Sequence, residues 1–253
     1  MGEWVLEAAG QSSGVMLFLA GVAFIAGLSR GFSGFGAALI FIPLASMAVG
    51  PRMAAPILLM IDAVGALPML PWAWRHAERK PAFTMSLGAG LGIPIGVTVL
   101  AGVEPLTLRW GISVTILLLV VLLASGWRYH GRPHWGVTMA VGGVSGLLSG
   151  AAQIGGPPAV AFWLGRAAAS AQDLRANIVL YFAYNSVWSV VAFTVAGLFS
   201  TQAAILALTT APGYLVGTML GMRMFGLASP QIFRRICYAL ITAAAVIGVP
   251  VFH

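Results

Sequence analysis

Charged residues are scarce in this chain. Only 8% of its 253 residues are Asp, Glu, Lys or Arg, and 60% are hydrophobic, whereas a soluble domain carries about 25% charged residues. Three stretches contain no charge at all, at residues 133–165, 176–222 and 236–253. Each can hold a helix of about 20 residues that crosses the hydrocarbon core. The apolar runs are continuous and do not alternate with a period of two, so the composition predicts an α-helical membrane protein.

Residues that carry most enzyme chemistry are also few. Cys237 is the only cysteine, which excludes an intrachain disulfide and a thiolate cluster. The four histidines lie outside the apolar runs without metal-ligand spacing, so we expect no metal and no cofactor. No P-loop sequence is present, so the chain does not itself use ATP. A membrane-embedded enzyme would need a nucleophile and base or paired carboxylates, but Asp62 has no acidic neighbour. We therefore expect a protein that is not an enzyme.

Ten apolar segments follow one another along the chain. They cover residues 14–29, 37–50, 53–74, 82–102, 110–127, 135–150, 157–165, 176–197, 203–222 and 236–252. Two of them, 37–50 and 157–165, are short, and each follows a glycine-rich break. Whether these two are re-entrant or full spans stays open, because either reading returns the chain to the side from which it came.

The basic residues indicate an orientation in the membrane. They are scattered between apolar segments and form no stripe, which argues against nucleic acid as a partner. Lys and Arg are retained on the cytoplasmic side. With the N-terminus outside, 11 of the 13 basic residues are cytoplasmic, namely Arg30, Arg75, Arg79, Lys80, Arg128, Arg132, Arg166, Arg175, Arg223, Arg234 and Arg235. Only Arg52 and Arg109 then lie outside. Fusing the first two segments into one helix would weaken this bias, so we predict that each glycine-rich pair forms a hairpin.

We therefore expect both termini outside, with the loops at residues 75–80 and 128–134 in the cytoplasm. The expected location is the inner (cytoplasmic) membrane of a bacterium, with the lipid bilayer as a partner.

The two halves of the chain contain an internal repeat. The matched pairs are Gly27 with Gly146, Gly31 with Gly150, Gly36 with Gly155, Arg52 with Arg175, Asp62 with Asn185, Gly88 with Gly213, Gly92 with Gly217, Gly96 with Gly221 and Arg109 with Arg234. Their order is kept while the offset drifts only from 119 to 125 residues. Five segments per half is an odd number, so the second copy must be inverted. The predicted fold is all-α and polytopic, with two inverted-topology repeats, residues 1–130 and 131–253, in one integrated membrane domain.

Glycine and proline are concentrated at two matched places. The first is residues 27–36, followed by Pro43, and the second is residues 146–158. This density interrupts a helix, and the freed N–H groups can face an anion where protein or water surrounds them. Close packing of small residues is the alternative. The ladders at glycines 88, 92, 96 and 213, 217, 221 have a spacing of four, for which helix packing is preferred.

These features resemble the TauE/SafE family. The resemblance rests on two repeats, each opening with a Gly-x3-Gly stretch, a further glycine cluster and a following proline, and it covers nearly the whole chain. It implies export of sulfite and small organosulfur anions. The chain departs from the family at Ala37 and Ala38, where glycines are common, and at Pro157 and Pro158, which directly follow the second glycine pair.

Arg30 and Asp62 are the ionised residues assigned inside apolar segments. Charge at the bilayer centre costs at least about 2.5 to 3.5 kcal/mol, so something must compensate it. Arg30 can serve as the counter-charge of an anion, because its guanidinium fork matches a sulfonate or carboxylate. The alternatives are a structural Arg30–Asp62 salt bridge and an Arg30 that snorkels to the interface.

The predicted substrate-binding residues combine this arginine with donors at the two breaks and with the repeat partner of Asp62. They are Arg30, Ser33, Gly34, Gly36, Ser149, Gln153, Gly155, Gly156 and Asn185. Asp62 is the candidate for proton coupling, because an anion that competes for Arg30 would leave the carboxylate without its cationic partner, and Asn185 cannot ionise.

The leading hypothesis is a secondary transporter or facilitated exporter of a small anion such as sulfite, a sulfonate or a carboxylate, with its site near the membrane midplane between the repeats. A non-transporting assembly or structural subunit and a membrane-embedded enzyme are the alternatives. A homodimer is compatible with this organisation, and proton coupling is left open.

Overall fold

In the computed structural model, the part of the chain that the structure describes is residues 10–126, 129, 134–165, 171–224 and 230–250, with the backbone alone at 171 and 230–236. All regular structure within these residues is helical. The helices are α1 (Ser13–Ser33), α2 (Ala37–Val49), α3 (Pro51–His76, with a 3-10 turn at Leu67–Met69), α4 (Arg79–Gly102), α5 (Pro105–Ala124), α6 (Trp135–Ala152), α7 (Gly156–Leu164), α8 (Ala171–Val195), α9 (Thr201–Met224) and α10 (Pro230–Gly248).

Seven of these helices, α1, α3, α4, α5, α6, α8 and α9, are long and apolar enough to cross a membrane. Their outward faces carry large apolar side chains, such as Leu17, Val195 and Leu208, which are more than three-quarters exposed to the surroundings. Large exposed apolar surfaces mark contact with a membrane or with another protein, and on helices of spanning length they fit a lipid environment. The prediction of an all-α polytopic membrane protein is therefore confirmed.

The helices break at the two places where glycine is concentrated. Gly34 and Gly36, at φ +80° and +94°, separate α1 from α2, and Gln153, at φ +59°, ends α6 before α7 begins. Left-handed residues stop a helix because the next N–H no longer aligns with its ladder. The helices that follow are short. The 13 residues of α2 reach about 20 Å and the 9 residues of α7 about 13 Å, less than the hydrocarbon core of about 30 Å.

The glycine ladder of α4 packs directly against α6. A methyl group at Gly88, Gly92 or Gly96 would overlap a backbone carbonyl of α6, and one at Gly146 or Gly150 would overlap a carbonyl of α4. The two backbones approach this closely only because neither carries a side chain at the contact.

Helices α1 and α9 pack in the same way, with the glycine ladder of α9 against the glycines of α1. Methyl groups at Gly27 and Gly31 would overlap carbonyls of α9, and methyl groups at Gly217 and Gly221 would overlap carbonyls of α1. The packing role predicted for both ladders is confirmed. The first glycines of each break, at 27, 31, 146 and 150, also pack helices and do not interrupt them.

The contacts between helices are reciprocal between the halves. Helix α1 packs on α9 as α6 packs on α4, α3 contacts α9 as α8 contacts α4, and α2 contacts α10 as α7 contacts α5. Helix α3 also packs on its counterpart α8, and α5 on α10. The two halves are thus interlocked and share one core.

The two arginines predicted to lie outside end up beside helix C-termini. Arg52 donates through Nε and Nη2 to the carbonyl oxygens of Leu100 and Val103, both at 3.1 Å, and Arg109 donates to the carbonyl of Gly248 at 3.3 Å. Cations are stabilised there by orphan carbonyls and the helix dipole.

The helices extend further than the predicted segments at two arginines, because Arg109 and Arg175 lie inside α5 and α8 and not in the loops before them. Residues 75–80 span the end of α3 and the start of α4, whereas 128, 130–133 and the terminal residues 1–9 and 251–253 lie outside the described part.

Candidate functional site

The two helix breaks meet at a cavity of about 40 Å³. The first break contributes Phe35 to Leu39, and the second contributes Gln153, Ile154 and Gly156. Arg30, Leu58, Asp62, Phe182, Asn185 and Ser186 complete the lining. Because Asp62 and Asn185 lie in the middle parts of α3 and α8, the cavity is far from the ends of both helices.

Arg30 holds the first break in place. Its Nη1 donates to the carbonyl oxygen of Gly34, the residue that caps the C-terminus of α1. The hydroxyl oxygen of Ser33 lies 2.8 Å from the carbonyl oxygen of Ser29 and 2.7 Å from that of Phe35, so its one proton can be donated to either carbonyl. A helix end freed in an apolar environment needs such partners, since unsatisfied backbone groups cost several kcal/mol there.

Neutral groups hold the second break. Gln153 donates from Nε2 to the carbonyl of Ser149 at 3.0 Å. Ser145 donates to the carbonyl of Gly155, and its hydroxyl accepts from Tyr181 at 2.7 Å. Gly155 has no room for a side chain, because a methyl group there would overlap the Ser145 carbonyl and the Ser149 hydroxyl.

Arg30 and Asp62 form an ion pair beside the cavity. Arg30 is 2% exposed, and its Nε lies 2.9 Å from Oδ1 of Asp62, whose side chain is 21% exposed. The Tyr214 hydroxyl donates to the same carboxylate oxygen, and the Arg30 guanidinium lies 5.0 Å from the centre of the Phe182 ring. The salt bridge considered from the sequence is therefore present, and Arg30 is held inside the protein instead of extending to the interface.

Three buried polar atoms of cavity-lining residues have no hydrogen-bond partner among the described residues, namely Nε and Nη2 of Arg30 and Oδ1 of Asn185. Nε still lies 2.9 Å from Oδ1 of Asp62 in the ion pair, so Nη2 of Arg30 and Oδ1 of Asn185 are the two atoms left without a counterpart. Asn185 is 3% exposed, and its Nδ2 donates to the Ser149 hydroxyl at 3.2 Å. Buried polar groups are almost always satisfied, so each such atom calls for an explanation.

The structure sorts the predicted binding residues into two groups. Arg30, Gly36, Gln153, Gly156, Asn185 and the coupling candidate Asp62 line the cavity. Ser33, Gly34, Ser149 and Gly155 lie behind it, where they maintain the two breaks.

Sequence reasoning missed three aromatic residues at this site. Phe35 and Phe182 line the cavity, and Tyr214 contacts Asp62 from α9. Tyr214 lies next to Gly213 in an apolar ladder, and the matching place in the first half, at the same offset of 125, is Ala89. The repeat therefore carries no signal for it. A polar hydroxyl in the middle of a membrane helix is the one feature that could have marked it.

Arg175 is a second cation near the first break. It donates to the carbonyl of Gly31, one residue after Arg30, and its guanidinium lies 5.7 Å from the Trp72 ring centre. Arg175 thus donates a hydrogen bond to the backbone of α1, and it is not among the residues that line the cavity.

Interrupted helices that meet around a buried, partly compensated arginine are a feature of secondary transporters. The family model described as sulfite exporter TauE/SafE matches residues 19–247, and the chain belongs to this family. Searches of the curated proteins and of the solved structures give no match. Membership implies a membrane transporter of the type that exports sulfite or organosulfur anions, which agrees with the expectation that the protein is not an enzyme.

Proposed function

We propose that the protein is a secondary transporter of small oxyanions of the sulfite and sulfonate type, with Arg30 as the counter-charge at a midplane site. The observation that carries the proposal is a buried guanidinium that lines the cavity between the two helix breaks and keeps one N–H₂ group without a partner among the described residues. A guanidinium fork suits an oxyanion better than a point charge does.

The proposed mechanism is alternating access between two inverted repeats, 1–130 and 131–253. The reciprocal contacts of α1 with α9 and of α6 with α4 support this arrangement, because a two-fold relation between the halves exchanges these pairs. The short α2 and α7 support re-entrant hairpins, since neither reaches across the hydrocarbon core. Rocking of one half against the other would then expose the site to each side in turn.

The proposed orientation has both termini outside, in the inner membrane of a bacterium, as the distribution of basic residues favours. Asp62 is the proposed proton-coupling group. Its only cationic contact among the described residues is Arg30, the same residue that the anion would engage. An anion that draws the guanidinium away would favour proton uptake by the carboxylate, so proton and anion would be linked.

The test is anion flux in proteoliposomes. With sulfite as the transported anion, Arg30→Ala should abolish flux, and Arg30→Lys should leave only part of it, because Lys keeps the charge but loses the fork. Arg52→Ala is the matched control, since the hydrogen bonds of Arg52 to described residues go to the carbonyls of Leu100 and Val103 and Arg52 does not line the cavity.

Folding of each variant is followed by size-exclusion chromatography in detergent. Wild-type flux and affinity in a well-folded Arg30→Ala protein would contradict the proposal. The absence of flux for every small oxyanion tested with the wild-type protein would favour an assembly or structural subunit.

A further inference from the structure

The two unpartnered atoms at the cavity have opposite hydrogen-bonding character. Nη2 of Arg30 can only donate, and Oδ1 of Asn185 can only accept. Both atoms are buried, and both belong to residues that line the same cavity. The two residues come from different halves of the chain, and both border the space between the two breaks, where a ligand would bind.

A fully deprotonated oxyanion satisfies only one of these atoms. Its oxygens accept from Arg30, but they have nothing to donate to Asn185, and two acceptors facing each other in a buried site repel. We propose that the anion bound at this site is monoprotonated, as hydrogensulfite is and a sulfonate is not, so that it accepts from Arg30 and donates its O–H to Oδ1 of Asn185. This inference rests on the proposed function and narrows it to the oxyanions that keep an O–H.

The charges that line the cavity favour the same form. Arg30 and Asp62 are the charged residues in the lining, and their charges cancel. Among the described residues, the lining contains no further charged residue, so each negative charge of the anion adds to a net charge near zero. A dianion would leave more uncompensated charge at low dielectric than a monoanion, which is expensive. Protonation removes that excess and supplies the missing donor in one step.

The size of the cavity limits the anion. One water needs about 10–15 Å³ of such space, so a cavity of about 40 Å³ holds a group of a few heavy atoms. Monoprotonated sulfite and similar XO₃H⁻ anions fit this limit. An organosulfonate with an extended chain would require the breaks to separate further.

The test compares anions that have the same charge and the same number of heavy atoms and differ in one O–H. Hydrogenselenite and bromate form a pyramidal pair, and hydrogencarbonate and nitrate form a planar pair. Binding to the purified full-length protein is measured by calorimetry at a pH where all four are monoanions. The O–H member of each pair should bind at least about tenfold more tightly, because its partner leaves Oδ1 of Asn185 unsatisfied.

A matched variant assigns the preference to this amide. In Asn185→Leu, binding of hydrogenselenite should fall to the level of bromate, while bromate binding stays within about twofold of wild type. Asn177→Leu is the control, because Asn177 is a fully buried amide of the same helix that contacts the backbone of Glu78 and does not line the cavity. If Asn185→Leu does not fold, the wild-type ratios decide by themselves.

Equal binding within both pairs, or tighter binding of bromate and nitrate, would overturn the inference, because Asn185 would then present its Nδ2 to the anion. Sulfite flux measured on the same preparation separates the two proposals. Sulfite flux without tighter binding of the O–H member of each pair would contradict only the inference that the bound anion is monoprotonated. The absence of both binding and flux would contradict the proposed transport function as well.

Discussion

At the scale of single residues, the asymmetry between Asp62 and Asn185 is the most informative difference between the halves. The two residues match in the repeat and line one cavity, but only Asp62 can ionise. Removing one member of a buried ion pair leaves the other charge uncompensated. If Asp62 is only a structural partner of Arg30, its loss should impair folding, whereas if it carries the coupled proton, its loss should impair coupling.

Asp62→Asn copies the second half and should separate coupling from binding. We expect downhill anion flux to survive while accumulation loses its dependence on the proton gradient, because the side chain no longer exchanges a proton. The measurement is sulfite flux in proteoliposomes with and without an imposed pH difference.

Unchanged gradient dependence in this variant would remove Asp62 from the coupling step. Misfolding of Asp62→Asn that a simultaneous Arg30→Gln repairs would instead identify the pair as a structural bridge.

Tyr214 orients the carboxylate that holds Arg30. Tyr214→Phe removes one O–H donor to a charged group, a bond worth about 1.5–3 kcal/mol. We expect a lower melting temperature and a KM for sulfite raised several-fold, because the Asp62–Arg30 pair becomes less well positioned.

Tyr184→Phe serves as the control for Tyr214→Phe. The Tyr184 ring packs edge-on against Phe83, with centroids 5.7 Å apart, and phenylalanine retains that contact. An equal change of KM in both variants would mean that Tyr214 has no specific role at the site.

At the scale of helices, the fold depends on backbone contact between glycine ladders. Gly92→Ala places a methyl group against the carbonyl of Gly143 in α6, and overpacking of this kind typically costs about 1–3 kcal/mol. The yield of folded protein and its melting temperature in detergent should both fall.

The matching change in the other half is Gly217→Ala, where the methyl group meets the carbonyl of Phe24, and it should have a similar effect. Gly111→Ala is the control, since Gly111 lies within α5 with nothing near the position of a methyl group. Loss of folded protein in Gly111→Ala but not in Gly92→Ala would contradict the packing of α4 on α6.

At the scale of the whole molecule, orientation is tested at the two ends of α4. This helix has 24 residues and reaches about 36 Å, enough to place Glu78 and Glu104 on opposite sides of the membrane. In a Cys237→Ala background, Glu78→Cys should react with a membrane-impermeant thiol reagent only after the cells are opened, and Glu104→Cys should react in intact cells. Both positions are exposed.

The reverse labelling pattern would contradict the orientation drawn from the basic residues and leave the fold unchanged. Labelling of both cysteines from the same side would contradict the spanning of α4 itself.

Each of the ten apolar segments expected from the sequence corresponds to one helix, because continuous apolar runs and glycine breaks are local signals. The boundaries are less well determined by the sequence. Segment 110–127 corresponds to α5, which begins earlier, at Pro105, because proline is favoured in the first turn of a helix. The charge of Arg109 favours a loop, but the residue lies inside α5, where its side chain reaches a carbonyl of another helix.

The sequence by itself determined the membrane class, the number of helices, the positions of the two breaks and the family, since each depends on composition or on spacing along one segment. Only the tertiary structure decided which groups surround Arg30. Asp62 lies on another helix, Tyr214 is 152 residues from Asp62 in the chain, and Phe182 comes from the second half. Contacts at such separations arise from how ten helices pack together, and no period or motif within one helix encodes them.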